Sequence, residues 1–271
     1  MPTLPSRIAL TLFASLVLLG CSTGPQVDSS RPVTIAFGSC ADEGEHTTKT
    51  WAAILAADPD AMVTLGDTPY IDSTDLTRQR ARYAEFAAAP GMAEVCTTRP
   101  WFATWDDHDF GRNDTDGNLE GKENSRRAFI EAHNNPSYGT ADAGIYTTFR
   151  VGDIQVFLLD TRYFAATEPS PFDVDAPTLL GADQWDWLRD ALLASDAPFK
   201  VLACGMIWNG AVRPGKQDHW GSYPHEFEAL MRFIGENGVS GVTLLGGDIH
   251  RSRCIVHATA SRAGYDIPEP I

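Results

Sequence analysis

The sequence contains no pair of cysteines at CxxC spacing, no coiled-coil heptad run and no internal repeat. Without paired cysteines, a zinc ribbon is not expected. Basic residues are scarce beside acidic ones, 21 against 36, and the formal net charge is −15. Specific nucleic-acid binding is not expected either, since it relies on basic patches that replace counterions on phosphates. The same charge argues against electrostatic docking on anionic lipid.

The sequence also lacks a long apolar run, and its longest one lies near the N-terminus, from Ile8 to Leu19. A membrane-spanning helix needs about 20 apolar residues, so residues 1–20 are predicted to be a signal peptide. The run ends in Leu-Leu-Gly followed by Cys21 and is similar to the lipobox of bacterial lipoproteins. We expect lipidation of Cys21, export and anchoring to the bacterial cell envelope; the alternative is an ordinary signal peptide with a chance cysteine. Residues 21–32 are polar and predicted to be a tether.

What remains, residues 33–271, suits one large domain, because 43% of the chain is hydrophobic. Short apolar runs such as residues 61–65 alternate with segments of helical spacing such as residues 182–194. This alternation predicts an α/β fold. A Gly-Asp turn between two apolar runs, at residues 152–153, predicts a hairpin and therefore a mixed sheet.

Potential ligands follow directly after five of the predicted strands. They occupy residues 38–40, 66–70, 106–109, 160–162 and 246–250. In open α/β sheets, binding sites form outside the carboxyl ends of the strands. One shared site is therefore expected to collect these side chains.

The strongest signal is at residues 106–109, where three carboxylates and one imidazole stand close together. Like charges repel, and a bound cation is the simplest way to offset that cost. Carboxylates favour calcium, whereas a thiolate or a phenolate favours a transition metal such as iron. The mixture predicts more than one metal ion, which together could clamp a phosphate and activate a water, while a neighbouring histidine protonates the leaving group.

These motifs resemble the alkaline phosphatase D family (PhoD-like phosphatases) within the wider calcineurin-like metallophosphoesterases. The matching strings are FGSC (37–40), LGDTPY (65–70), TWDDHDFGRND (104–114), VFLLDTRYF (156–164), LLGADQWDWL (179–188) and LLGGDIH (244–250). They occur in the family's order and cover most of residues 33–250. The resemblance implies a metallophosphoesterase-like four-layer sandwich of two mixed β-sheets flanked by helices.

The resemblance also implies phosphomonoesterase or phosphodiesterase activity that uses iron and calcium. The implied metal-binding residues are Cys40, Asp67, Tyr70, Asp107, Asn113, Asp248 and His250. Asp67 would bridge two metals, and His108 takes the place of the catalytic histidine. Arg162 is assigned to phosphate contact, although the residues alone leave open a structural ion pair, which would be equally consistent.

Two departures accompany the resemblance. Residues 201–210 contain no histidine, where the wider superfamily supplies a ligand, and this favours the PhoD-like branch. The chain ends at Ile271, where similar proteins continue, so the closing part of the second sheet is expected to be missing.

Three functions follow as hypotheses. The first is hydrolysis of small phosphate esters through in-line attack by a metal-activated hydroxide, since an acidic surface repels large polyanions. The second is a catalytically inactive lipoprotein that keeps the scaffold as a binding module. The third is a calcium-stabilised structural protein, which the presence of His108 disfavours.

Overall fold

The computed structural model of the protein describes residues 32–254, 257–262 and 265–270. The predicted signal peptide, Cys21 and nearly all of the predicted tether lie outside the described residues. Within the described part of the chain, no helix has both the length and the apolar character needed to cross a membrane.

The described residues form strands and helices that alternate along the chain. The strands are β1 (Ile35–Gly38), β2 (Ala61–Leu65), β3 (Trp101–Thr104), β4 (Thr147–Val151), β5 (Ile154–Leu158), β6 (Pro169–Ser170), β7 (Asp173–Pro177), β8 (Phe199–Cys204), β9 (Val242–Gly246), β10 (His257–Arg262) and β11 (Tyr265–Pro270). The α-helices are α1 (Thr48–Ala56), α2 (Leu76–Ala88), α3 (Met92–Thr98), α4 (Asp107–Phe110), α5 (Lys122–Ala132), α6 (Ala182–Ala194) and α7 (Pro224–Glu236).

Several helices begin where local sequence chemistry predicts. Helix α7 begins at Pro224. Proline suits the first turn, because N–H groups there have no acceptor within the helix and its missing N–H costs nothing. Asp75 caps α2, since its carboxylate accepts the backbone N–H of Arg78 at 2.8 Å. Both ends of α6 coincide with the predicted residues 182–194.

Other elements differ from the sequence prediction. The segment 164–180, predicted as a loop, contains the β6–β7 hairpin. Of the strand predicted for residues 253–259, residues 253 and 254 are not in a strand, and residues from His257 onward form β10. The short α4 was not predicted; its start is stabilised by Asp109, whose carboxylate accepts the backbone N–H of Asp106 at 2.6 Å.

Two sheets form the centre of the fold. Sheet 1 has the order β1-β2-β3, and its strands are parallel. Sheet 2 has the order β4-β5-β8-β9, in which β4 is antiparallel to β5 and the other pairs are parallel. The predicted mixture of strand directions therefore occurs in sheet 2, through the predicted hairpin. Two further antiparallel pairs, β6-β7 and β10-β11, stand apart from both sheets.

Side chains that alternate along the strands build the layers. In β2, Val63 packs in the core between the sheets, whereas Met62 packs in the core that contains residues of α1, α2 and α3. In β8, Ala203 belongs to the core between the sheets, whereas Leu202 packs among residues of α6 and α7. The order is helices, sheet 1, sheet 2, helices, which confirms the predicted four-layer sandwich.

Candidate metal centre

The carboxyl ends of the two sheets come together at one place. Two glycines permit this approach. A side chain at Gly66 would place its Cβ 2.3 Å from the backbone nitrogen of Asp106. A side chain at Gly247 would place its Cβ 2.4 Å from the carbonyl oxygen of Leu65. Only glycine fits such contacts, so the ends of β2, β3 and β9 lie against one another.

Several candidate ligands at these strand ends have a left-handed backbone. The φ angle is 57° at Cys40, 52° at Asp67, 69° at Asp248 and 54° at His250. Non-glycine residues rarely adopt this conformation, and its cost is typical of functional sites. The backbone therefore turns sharply after β1, β2 and β9 and presents these side chains to a common centre.

On one side of Asp67 lie a thiol, a phenol and an imidazole. Cys40 Sγ is 3.8 Å from Asp67 Oδ2, and Tyr70 Oη is 3.1 Å from His250 Nε2. Ligand atoms of Cys40, Asp67 and His250 all lie within 4.8 Å of one another. These four residues come from three strand ends, and together they offer sulfur, oxygen and nitrogen donors.

On the other side of Asp67 lie carboxylates. Asp67 forms one compact group with Asp107 and His108, and another with Asp106 and Asp248, each with its ligand atoms within 4.8 Å. The backbone N–H of His108 donates to Asp107 Oδ1 at 2.9 Å and to Asp67 Oδ1 at 3.4 Å. Asp67 thus belongs to three groups at once, which is the arrangement expected of a bridging carboxylate.

His108 is oriented by Asp72. Its Nδ1 lies 2.6 Å from Asp72 Oδ1, and the ring of Tyr70 packs beside it with 4.8 Å between centroids. An ionised carboxylate only accepts hydrogen bonds, so Nδ1 is the donor in this contact. Nε2 is therefore left for other partners. Sequence reasoning missed Asp72, although it lies two residues beyond the LGDTPY string.

The electrostatics of the centre call for a cation. Burial, together with the charges of Asp109 and Asp107, raises the pKa of Asp67 to about 9. Burial also raises the pKa of the Cys40 thiol to about 11. Oδ2 of Asp106 is buried and accepts no hydrogen bond. A buried carboxylate oxygen that accepts no hydrogen bond is costly, and a metal ion would offset that cost, so these residues fit a metal centre.

Arg162 is held in ion pairs. It is 1% exposed. Its guanidinium donates to Asp106 at 2.8 Å from Nε, to Asp218 at 2.9 Å from Nη1 and to the carbonyl of Thr115 at 3.2 Å from Nη1. Nη2 donates to the same two carboxylates. These five hydrogen bonds match the five N–H donors of an arginine. The geometry therefore favours the structural ion pair over the phosphate contact.

Asn113 is exposed in the turn after α4, and its role as a ligand stays a prediction. The neighbouring Asp114 is the residue that meets the cluster. Its backbone N–H donates to Asp107 Oδ2 at 2.6 Å, and its carboxylate groups with those of Asp107 and Asp218. An aspartate beside a predicted asparagine ligand was the signal that could have identified it.

Two cations of the loop between β8 and α7 reach the centre. Arg213 Nη1 lies 3.2 Å from Asp248 Oδ2, and Lys216 donates to Asp248 as well. Lys216 Nζ is also 3.2 Å from an oxygen of Asp114. No pattern in the sequence pointed to these residues, because charged residues in a long loop usually face solvent.

Both the sequence motifs and the fold are similar to those of known phosphatases. A family model described as PhoD-like phosphatase matches residues 35–267. Alkaline phosphatase D of Bacillus subtilis (strain 168) is 27% identical over 81% of this chain and 46% of that protein. The chain therefore spans about half the length of this curated relative.

Two solved structures share the fold. The structure of PhoD matches with a TM-score of 0.65 and 23% identity, over 83% of this chain and 52% of that one. Purple acid phosphatase PPD1 from yellow lupin (Lupinus luteus) seeds matches with a TM-score of 0.55 and 13% identity, over 83% of this chain and 38% of that one.

Proposed function

Because this chain belongs to the PhoD-like phosphatase family, we propose that it hydrolyses phosphate esters at a metal centre built around Asp67. The observation that carries the proposal is the shared position of Asp67 in three groups of potential ligands. Bound metal ions would supply Lewis-acid polarisation of the phosphate and an activated water. The substrate class is a small phosphate ester, because the net charge of −15 disfavours large polyanions.

The ligand set supports iron and calcium as the metals. Cys40, Tyr70 and His250 surround Asp67 on one side, and thiolate, phenolate and imidazole suit a transition metal such as iron. Asp107 and Asp248 stand on the carboxylate side, and oxygen donors suit calcium. Asp67 would join the two positions.

His108 is the proposed proton donor. Its Nδ1–H is engaged by Asp72, so in the doubly protonated ring Nε2–H is the group left to donate to the oxygen of the departing alcohol. The side chain is only partly buried, with 21% exposed, so a substrate can reach it from solvent. Arg213, with a side chain 47% exposed beside Asp248, is a further group that a substrate phosphate could meet.

The experiment uses the chain from residue 22 onward, after metal analysis. We would assay p-nitrophenyl phosphate and bis-(p-nitrophenyl) phosphate with iron and calcium, with a chelator control and His108→Ala beside the wild type. Metal-dependent turnover that collapses in His108→Ala supports the proposal and ranks the two ester classes. No turnover from a folded, metal-loaded protein would instead favour an inactive binding module.

We also propose that the protein is exported and anchored to the cell envelope through a lipid on Cys21. The support is the short apolar run after Arg7 and the lipobox-like residues before the cysteine. Cys21→Ser should release the protein from the membrane fraction, whereas Cys96→Ser should not. Membrane association that persists in Cys21→Ser would contradict the lipid anchor.

A further inference from the structure

Lys216 lies among the carboxylates of the metal centre. Its side chain is 8% exposed although it belongs to a loop. The ammonium donates to Asp248, lies 3.2 Å from an oxygen of Asp114 and lies 3.8 Å from an oxygen of Asp218. Lysine has three N–H donors, so one ammonium can serve all three carboxylates.

The three carboxylates belong to two different groups of potential metal ligands. Asp248 groups with Asp67 and Asp106, and the other two carboxylates group with Asp107. Lys216 therefore stands between the two groups, at a place where its charge opposes that of an incoming metal ion. Nearby, Arg162 is already committed to Asp106 and Asp218.

We propose that Lys216 is a built-in cation that competes with divalent metal for Asp248 and so sets the metal affinity of the centre. The inference rests on the proposed metal centre and deepens it. An oxygen of Asp248 that accepts a hydrogen bond from an ammonium cannot offer the same lone pair to a metal ion. The positive charge of Lys216 also repels a dication nearby, and this repulsion is strong where water is largely excluded.

The neighbouring carboxylates give the ammonium another place to bind. When a metal ion takes Asp248, Lys216 can stay paired with Asp114 and Asp218, which it already approaches. The exchange needs a small rotation of a flexible side chain and leaves no buried charge alone. Metal binding therefore includes the release of Lys216 from Asp248.

Isothermal titration of the metal-stripped full chain with calcium tests the proposal. Lys216→Met should lower the Kd for calcium at least tenfold, because it removes the competing charge. Lys216→Arg, which keeps the charge, should stay within about twofold of the wild type. Lys49→Met removes the same charge from an exposed position on α1 and serves as the matched control, with no change expected.

A calcium affinity that is unchanged or weaker in Lys216→Met overturns the proposal. Lys216→Gln, which is neutral but polar, replaces it should the methionine variant fail to fold by circular dichroism. Should neither fold, acetylation of the wild type followed by mass spectrometry decides. Calcium should increase labelling of Lys216, which then keeps two carboxylate partners instead of three, but not of Lys49. Equal labelling of Lys216 with and without calcium counts against release.

These outcomes separate the two proposals. If the wild type binds calcium and Lys216→Met binds it equally well, only the role of Lys216 fails. If neither the wild type nor the variants bind calcium, the metal centre fails and the role of Lys216 fails with it.

Discussion

His108 Nδ1 and Asp72 Oδ1 lie 2.6 Å apart at the mouth of the metal centre. The pair is joined a second time through the backbone, since the N–H of Asp72 donates to the carbonyl of His108 at 2.9 Å. Asp72 has a φ of 53°, so its chain turns back toward the histidine. The imidazole is therefore held in position, with Nδ1 toward Asp72, before a substrate arrives.

Asp72→Asn tests this orientation. The amide cannot hold the Nδ1 proton as a carboxylate does, so we expect kcat to fall about 10- to 100-fold, at or below the lower end of acid–base contributions, because His108 itself remains. KM should change little, because Asp72 binds the histidine and not the substrate. Steady-state kinetics check this, with Asp153→Asn in the exposed β4–β5 turn as the control. A kcat equal to that of the wild type would contradict the role.

Arg162→Met should destabilise the fold. It would leave the carboxylates of Asp106 and Asp218 without their buried partner, a loss of about 3 kcal/mol in the free energy of unfolding. Arg150→Met is the matched control, because its ion pair with Asp196 is exposed and worth less than about 1 kcal/mol. Urea titration measures both. A stable Arg162→Met with a raised KM would instead restore the predicted phosphate contact.

Glu226→Gln should be destabilising as well. The carboxylate is fully buried and accepts hydrogen bonds from Trp185 Nε1, from two backbone N–H groups and from two hydroxyls. In glutamine, the amide NH₂ would replace one of the accepting oxygens and would point at hydrogen-bond donors. We expect the free energy of unfolding to fall by about 2 kcal/mol. Thermal unfolding measures it against Glu228→Gln, which changes an exposed residue of the same helix. Equal melting temperatures would show that the network adds little.

His133 should make stability depend on pH. The ring is 4% exposed and its Nδ1 lies 3.0 Å from the carbonyl of Phe129. Burial lowers the pKa of His133 from 6.5 to about 4. Below pH 6.5 the unfolded chain binds a proton that the folded protein does not. The free energy of unfolding should therefore fall by up to about 3 kcal/mol between pH 6.5 and 4.

Urea titrations across that interval measure the effect of His133. His133→Gln should lose part of the pH dependence, because the amide can still donate to Phe129 but does not titrate. His46→Gln alters an exposed histidine and should follow the wild type. Identical slopes for His133→Gln and the wild type would contradict the assignment.

The part of the centre that sequence predicted is the part fixed by strand geometry. Asp67 and Asp107 follow neighbouring parallel strands whose register is set by hydrogen bonds. Once the strands are recognised, the side chains after them must meet. The order of layers was implied by the family resemblance, and the alternating side chains of β2 and β8 agree with it.

The other residues of the centre and of the core depend on tertiary packing, which the periodicity of the sequence does not show. Lys216 belongs to a loop, where the local sequence does not distinguish a buried ammonium from a solvated one. Glu226 and Glu228 stand two residues apart on α7, and only the packing of Trp185 against that helix separates them. The sequence motif predicts a phosphate contact for Arg162. Its ion-pair partners, Asp106 and Asp218, are distant in sequence, so the motif does not reveal them.

The Tyr70–His250 contact joins residues 180 positions apart. During synthesis from the N-terminus, Cys40, Asp67 and Asp107 are added to the chain long before Asp248 and His250, which follow β9. Contacts of such separation form late and slowly during folding. A chain whose synthesis has not passed β9 therefore lacks two of the proposed metal ligands, and full metal retention would mark a chain whose synthesis has passed β9.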